Sequence, residues 1–300
     1  MSKLFSKDDF RDNCGFGLIA DINGIKSHKI INKSINALRS MTHRGAIGAD
    51  GKTGDGCGLL LNLDKDFFKN AISEEQGVEI SNEFAIGQLF TSNKIESDLS
   101  KIEKILKSEN LILKAVRPVP VNKDILGTIA SSCLPNIYQL YIQSTDKVFY
   151  EEKFETNLYQ ARKLIEEIYL DDEQLYFCSL SSKTIIYKGL MLPDAIQDFY
   201  LDLKSSKFES SICVFHQRFS TNTHPRWHLA QPFRLLAHNG EINAIRGNRN
   251  WVKARSSKFK SPRLPKIQEF KQLVNERGSD SSALDNICLL YTSDAADETT

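Results

Sequence analysis

The chain has 300 residues, of which 41% are hydrophobic and 26% are charged. These fractions are typical of a soluble globular protein and exclude a disordered or collagen-like chain. The 39 basic and 38 acidic residues leave a net charge of +1, so no overall field favours nucleic acid or anionic lipid as a partner. No apolar run approaches the ~18 residues of a membrane span. Residues 1–13 lack the apolar core of a secretory signal, and the six cysteines are scattered, so we expect a cytoplasmic protein with free thiols.

Short strands and amphipathic helices alternate along the chain. A strand is predicted at 15–22, and the apolar spacing of Ile31, Ile35 and Leu38 predicts a helix over 28–41 with Ser27 as its N-cap. Further helices are predicted around 99–106 and 158–168. Strands are predicted at 138–142, 175–180, 184–187, 212–215 and 234–237, with the second and third joined as a hairpin. Strands linked by short turns between helices favour an α+β fold over a regular βαβ winding.

Five clusters of polar residues and glycines could carry chemistry, although each has a structural interpretation when taken alone. Residues 14–17 place a thiol at the start of a strand, where an ordinary buried cysteine is the commoner case. Residues 42–58 are glycine-rich, but their spacing fits neither phosphate-binding fingerprint, which favours a tight structural loop. Residues 216–223 group hydrogen-bond donors that could hold a small anion. Residues 238–242 could be a turn, and residues 278–282 a helix cap by Ser279 or Asp280.

A sixth polar stretch, at 255–268, is basic and contains proline. No aromatic series interleaves with its charges, as is usual where single-stranded nucleic acid binds. We expect it to be a solvated loop.

Together the five clusters resemble the class II glutamine amidotransferases, which belong to the N-terminal-nucleophile hydrolases. The motifs, in chain order, are Cys-Gly-Phe-Gly at 14–17, Met-Thr-His-Arg-Gly-Ala at 41–46, Thr-Gly-Asp-Gly at 53–56, Gln-Arg-Phe-Ser-Thr-Asn-Thr at 217–223, His-Asn-Gly-Glu-Ile-Asn at 238–243 and Ser-Asp-Ser at 279–281. A narrower resemblance, to the amidotransferase domain of the glutamate synthase large subunit, is carried by residues 219–227, 231–234 and 246–251. Cys57 departs from the pattern, where the family more often has alanine, and should fit as a small buried thiol.

The resemblance implies a catalytic mechanism centred on Cys14. Removal of residues 1–13 would free the Cys14 α-amine, whose ordinary pKa of ~7.7–8 suits a general base for the thiol. The Asn239 side chain and the Gly240 N–H would form the oxyanion hole.

The resemblance also assigns the residues that would read the substrate, L-glutamine. Arg218 would bind its α-carboxylate, with Thr221 as a further contact, and Asp280 would accept from its α-ammonium. His43 and Arg44 are expected to pack in a loop beside the site. No metal site is expected in this chain.

The implied fold is a four-layer αββα sandwich of the N-terminal-nucleophile type, with residues 1–13 as a leader, 14–287 as an incomplete amidotransferase domain and 288–300 as a non-native tail that adds no folding energy. The released ammonia would pass to 2-oxoglutarate in synthase domains absent from this chain. FMN and an iron–sulfur cluster would belong to those domains, and a small reductase subunit or ferredoxin would be a further partner. An amidotransferase serving another acceptor, and a catalytically silent fragment, are the alternatives.

Overall fold

A computed structural model describes residues 15–169, 175–218, 224–238, 242–276 and 278–294, the last with side chains through 290. The strands are β1 (Phe16–Ala20), β2 (Cys57–Asn62), β3 (Phe84–Thr91), β4 (Leu111–Pro118), β5 (Asn136–Ser144), β6 (Leu175–Ser181), β7 (Thr184–Gly189) and β8 (Ile212–Gln217). The helices are α1 (His28–Ser40), α2 (Lys65–Gln76), α3 (Leu99–Ser108), α4 (Thr128–Ser132), α5 (Glu151–Ile168), α6 (Ile196–Phe199), α7 (Ile245–Arg255) and α8 (Asp280–Asp294).

The strands form two antiparallel sheets. The first has the order β1-β8-β2-β7 and the second the order β4-β5-β3-β6. In the first sheet Phe16 pairs with His216, and Cys57 pairs with Gln217. This register brings the amino ends of β1 and β2 to the carboxyl end of the central strand β8. Two antiparallel sheets with helices confirm the α+β class.

Helices pack against both sheets. Helix α1 buries Ile31, Ile35 and Leu38 against β1 and β8. In the second sheet, β3 is buried along its whole length because both of its faces are covered. Phe84 belongs to the larger core, which also holds α1 and α2, whereas Leu89 packs with α3 and α5. Within the described residues, no helix combines the length and apolarity needed to span a bilayer.

A buried cation joins the second sheet to its surroundings. The guanidinium of Arg117 on β4, which is 2% exposed, donates to both carboxylate oxygens of Asp202 at 2.9 and 3.0 Å. It also donates to Glu75 of α2 at 2.6–3.0 Å and to the amide oxygen of Gln139 at 2.8 Å. Charge-assisted bonds of this kind compensate the cost of taking the guanidinium out of water.

Two sequence predictions about strands are wrong. Residues 234–237 do not form a strand, because Arg234 is committed to buried ion pairs with Asp285 and Glu166, both at 3.0 Å. A backbone bond from Phe233 N to Leu236 O also turns the chain there. The strands at 175–180 and 184–187 exist as β6 and β7 but do not pair as a hairpin, because the chain passes from the second sheet to the first between them.

The last described helix differs from the expectation that residues 288–300 add no packing. Helix α8 continues past Ile287. Leu290, which lies two helical turns beyond Ala283 on the same face, is 7% exposed. It joins a small apolar cluster with Leu264 and Ile267. These two residues come from the basic stretch around 255–268, which is therefore irregular but not wholly solvated.

Candidate active site

The amino end of β1 lies beside the carboxyl end of β8. The N–H of Gln217 donates to Gly15 O at 2.6 Å, and the next N–H, of Arg218, donates to Gly56 O at 2.8 Å. Cys14 lies outside the described residues, but it is bonded directly to Gly15. The predicted nucleophile therefore adjoins the point where β1, β8 and β2 meet.

Arg218 has an unusual backbone conformation at this point. Its φ is 134°, a region that side chains other than glycine rarely adopt. Such strain costs of the order of 1–3 kcal/mol and tends to be retained where a site requires it. The residue is half-buried and directly follows β8. Thr221, the second predicted carboxylate contact, lies outside the described residues.

The segment 231–238 is held at the same end of the sheet by hydrogen bonds of the Gln231 side-chain amide. Gln231 Nε2 donates to His238 O, and His238 N donates to Gln231 Oε1, both at 2.8 Å. The His216 imidazole of β8 lies 3.2 Å from the same carbonyl. Asn239 and Gly240 lie outside the described residues, but the residue that precedes them is held by three side-chain contacts.

Asp280, at the start of α8, contacts Ile242, which lies two positions after the predicted oxyanion-hole residue Gly240. Its Oδ2 accepts from Ile242 N at 2.8 Å, and its Oδ1 accepts from Ser281 N at 2.6 Å. The helix cap is Ser279, whose Oγ accepts from Ser282 N at 3.0 Å. Of the two residues that could cap the helix, Ser279 does so, and the Asp280 carboxylate is turned toward 242.

The structure thus joins Arg218 and Asp280 through one intervening segment. Gln231 N donates to Arg218 O at 3.4 Å, and the His238 ring lies 3.1 Å from Ser281 Oγ, next to Asp280. Gly15 and His238, the described neighbours of Cys14 and Asn239, both contact β8 at the same end of the sheet. Sequence positions separated by more than 200 residues therefore meet at one end of the first sheet.

The glycine-rich stretch is a tight loop beside this end of the sheet, as predicted. Gly48 N donates to Thr53 O at 2.7 Å, and His43 and Arg44 form a short 3-10 turn that leads into it. The loop approaches β8 so closely that a Cβ on Gly45 would lie 2.1 Å from Gln217 Nε2. A side chain at position 45 would therefore fit only if the buried Gln217 side chain moved.

Three of the described cysteines are fully buried, which makes their thiols poor nucleophiles. Burial raises the pKa of Cys178 and of Cys213 to about 12, and it raises the pKa of Cys57 still further. Since the thiolate is the nucleophile, these three cysteines are inert at neutral pH. Cys57 is fully buried, as expected for a residue that replaces alanine. No group of three or more His, Cys, Asp or Glu in the described ranges could hold a metal ion.

His216 does not contribute to anion binding as its cluster suggested. Burial lowers its pKa to about 4, so its imidazole is neutral at pH 7. The unfolded chain gains this proton as the pH falls through ~6.5, whereas the folded chain does not, so stability falls between pH 6.5 and 4.

A His216→Gln variant should lose this contribution. We expect the free energy of unfolding of the wild type, relative to the variant, to fall by about 3 kcal/mol over that range and to stay constant above it. Urea denaturation across pH measures this, and parallel curves would contradict the assignment.

Sequence reasoning missed the residues that anchor the site. Gln231 and His216 were noted only as members of motifs, and Asp55 only as part of a loop. The contacts of Gln231 and His216 with His238 depend on how the chain folds back at the end of β8, so no local pattern reveals them. The cis peptide bond between Gln231 and Pro232 is likewise invisible to composition or spacing.

The sequence is similar to those of known proteins along nearly its whole length. The sequence model of the family described as "Glutamine amidotransferases class-II" matches residues 14–299, further along the chain than the motifs alone reach. The "Glutamate synthase [NADPH] large chain" of Azospirillum brasilense is 38% identical over 294 residues, which are 95% of this chain and 19% of that protein. The "Ferredoxin-dependent glutamate synthase 1, chloroplastic/mitochondrial" of Arabidopsis thaliana is 40% identical over 92% of this chain and 17% of its own length.

A third relative, the "Glutamate synthase [NADH]" of Saccharomyces cerevisiae, is 38% identical over 96% of this chain and 14% of its own length. The chain therefore spans less than a fifth of the length of these relatives. The resemblance read from the motifs is confirmed, because family and relatives are those it named. On the match over residues 14–299, this chain belongs to the class II glutamine amidotransferases.

Proposed function

We propose that this chain hydrolyses L-glutamine to L-glutamate and ammonia through a thioester on Cys14. The observation that supports this most is the meeting of Arg218 and Asp280 with the described neighbours of Cys14 and of Asn239-Gly240. A cationic group, a carboxylate, a thiol and an oxyanion hole are the parts that hydrolysis of a free amino-acid amide requires.

Catalysis would begin once residues 1–13 are removed and the Cys14 α-amine is free. The neutral amine takes the thiol proton, and Sγ attacks the side-chain carbonyl carbon of glutamine. The carbon–nitrogen bond then breaks, and ammonia leaves with the proton from the α-ammonium. Water, deprotonated by the same amine, attacks the thioester and breaks its carbon–sulfur bond, which releases glutamate and restores the thiol.

The oxyanion of both tetrahedral intermediates would be held by the Asn239 side-chain amide and the Gly240 N–H. Such donors lower the barrier only if they are already in position when charge develops. The two hydrogen bonds between the Gln231 side chain and the His238 backbone support this assignment, because they fix the residue that precedes Asn239.

Substrate recognition would use the two ends of the zwitterion. Arg218 can present two parallel N–H groups to the α-carboxylate, with Thr221 beside it. Asp280 Oδ1 accepts from both N and Oγ of Ser281, whereas Oδ2 accepts only from Ile242 N, which leaves a lone pair on Oδ2 for the α-ammonium.

In the whole protein, we propose that the ammonia reacts with 2-oxoglutarate in synthase domains, as the names of the relatives suggest. FMN, an iron–sulfur cluster and the reductase subunit or ferredoxin partner would belong to those parts. The described cysteines of this chain give no cluster of ligands for an iron–sulfur centre. We also propose a cytoplasmic location and the four-layer αββα arrangement. The larger core, which holds residues of both sheets, supports this arrangement, with α1 against the first sheet and α3 and α5 against the second.

The experiment that tests the proposal is an ammonia-release assay on the purified chain with glutamine, combined with intact-mass measurement. We expect ammonia and glutamate in equal amounts from a preparation whose first residue is Cys14. Active enzyme that begins at Met1 or Ser2 would contradict the mechanism.

The Asp280→Asn variant should raise the KM for glutamine with a smaller effect on kcat. Loss of a charged partner for the substrate ammonium costs on the order of 1.5–3 kcal/mol, or about 10- to 150-fold. Ser279→Ala is the matched control, because it removes the neighbouring cap bond and should lower stability by about 1 kcal/mol without raising KM. An equal KM in both variants would remove Asp280 from substrate recognition.

A further inference from the structure

Arg249 of α7 places its guanidinium at the amino end of α8. Its Nη2 donates to Gly278 O at 2.6 Å and to Ser279 O at 3.1 Å. A helix presents a partial positive charge at its amino end, so a cation is disfavoured there. The position of Arg249 therefore depends on contacts that offset this repulsion.

One of these contacts is with the peptide bond that leads into Asp280. Ser279 O belongs to the planar peptide group that also contains the nitrogen of Asp280, so a donor on this oxygen restrains the orientation of that group. The same oxygen accepts from Ala283 N at 3.1 Å and from Ser282 Oγ at 2.9 Å. The peptide before Asp280 is thus held from within α8 and, through Arg249, from α7.

The charge of Asp280 supplies the second contact. Burial lowers the pKa of the Arg249 guanidinium, and the charges of Asp280 and Glu276 oppose that shift. The Asp280 carboxylate is therefore close enough to stabilise the cation. Its own oxygens accept from Ile242 N and from the N and Oγ of Ser281.

The segment 242–249 consequently holds Asp280 at two points. Ile242 N donates to the carboxylate at 2.8 Å, and Arg249, seven positions later, donates to the backbone before it. None of the residues of α7 is buried, and Val252 packs only partly against an apolar cluster. Polar bonds such as those of Arg249 therefore fix α7 against the amino end of α8.

We propose that Arg249 is a positioning residue for glutamine recognition: it holds the peptide before Asp280 and so keeps the Asp280 carboxylate in the orientation that accepts the substrate α-ammonium. The inference rests on the proposed function, because Asp280 has this role only if glutamine is the substrate. It gives a task in recognition to the stretch 246–251, which had been noted only for its resemblance to a family. It also explains why a cation lies at the amino end of α8.

The test measures glutamate formation from L-glutamine by the full chain, with and without glutaramate as a competitor. Glutaramate is glutamine without its α-amino group, so Asp280 has no ammonium to bind in it. Arg249→Met keeps most of the side-chain length and removes the donors. We expect the KM for glutamine to rise about 5- to 20-fold with kcat within about threefold, and the inhibition constant of glutaramate to stay within about twofold.

Two further variants separate positioning from general stability. Arg249→Lys should keep the KM within about threefold of the wild type, because a single nitrogen makes both carbonyl bonds and an ammonium can replace it. In the double variant Arg249→Met/Asp280→Asn, the KM should stay within about twofold of that of Asp280→Asn alone. The two changes remove the same contact with substrate, so their effects should not add.

Lys253→Met is the matched control. Lys253 lies one helical turn after Arg249 on α7 and pairs at 3.3 Å with Glu276, and both side chains are more than half exposed. Its replacement removes a cation from the same helix but leaves the carbonyl bonds of Arg249 in place. The KM for glutamine and the inhibition constant of glutaramate should both stay within about twofold of the wild type.

An unchanged KM in Arg249→Met, an equal rise in the inhibition constant of glutaramate, additive effects in the double variant, or loss of the fold of Arg249→Met by circular dichroism would overturn the inference. Failure of the proposed function gives a different result. A wild-type chain that forms no glutamate would overturn both, whereas an active wild type with an unaltered Arg249→Met variant would overturn this inference alone.

Discussion

Replacement of Cys14 by alanine should abolish glutamine hydrolysis. The variant lacks Sγ, the atom that forms the thioester, and is otherwise little changed. The value of kcat should therefore fall by about 10⁴-fold or more. Ammonia release from glutamine measures this, and circular dichroism should show an unchanged fold.

Cys57→Ala is the control for the loss of a thiol. Cys57 is two strands away in the sheet order, and burial raises its pKa far above the neutral range, so its removal should leave kcat and KM unchanged. Residual hydrolysis in Cys14→Ala that disappears in Cys57→Ala would mean that the wrong cysteine has been assigned.

Replacement of Arg117 by methionine should destabilise the fold more than any surface substitution. Methionine fills much of the volume but leaves the Asp202 carboxylate, which is 3% exposed, without its cation. Removal of one partner from a buried ion pair typically costs about 3–5 kcal/mol. Urea denaturation should therefore show a large fall in the transition midpoint.

Lys207→Met is the matched control. Lys207 pairs at 3.9 Å with Glu74, the neighbour of Glu75 on α2, but both side chains are more than two-thirds exposed. Exposed pairs contribute about 0–1 kcal/mol, so this variant should stay within about 0.5 kcal/mol of the wild type. Similar losses in the two variants would show that the Arg117 cluster is not a main support of the fold.

Elements with a strong apolar period were predictable from sequence. Helix α1 appears where Ile31, Ile35 and Leu38 recur with helical spacing, and β1 lies within the predicted 15–22. Helix α5 begins at Glu151, earlier than the pattern at 158–168 indicated. Its polar residues Gln160, Arg162 and Lys163 are buried because distant parts of the chain pack against this helix, which no helical pattern can reveal.

The failures have physical reasons of the same kind. The apolar residues 235–237 before the Asn-Gly turn pair favoured a strand, but the ion pairs of Arg234 with two helices decide the structure there. Motifs identified Arg218 and Asp280, whereas the roles of Gln231 and His216 follow only from their contacts with the His238 backbone. Sequence pattern identifies the groups that could react, and tertiary contacts identify those that hold them.

The central claim is that Cys14 becomes the first residue and forms a thioester with glutamine. The most direct measurement is acid quenching of the chain during turnover, followed by mass spectrometry of the intact protein and of its N-terminal peptide. We predict a glutamyl adduct on a peptide that begins at Cys14, absent without glutamine and absent from Cys14→Ala. Hydrolysis by a chain that retains residues 1–13, or an adduct on another residue, would contradict the account.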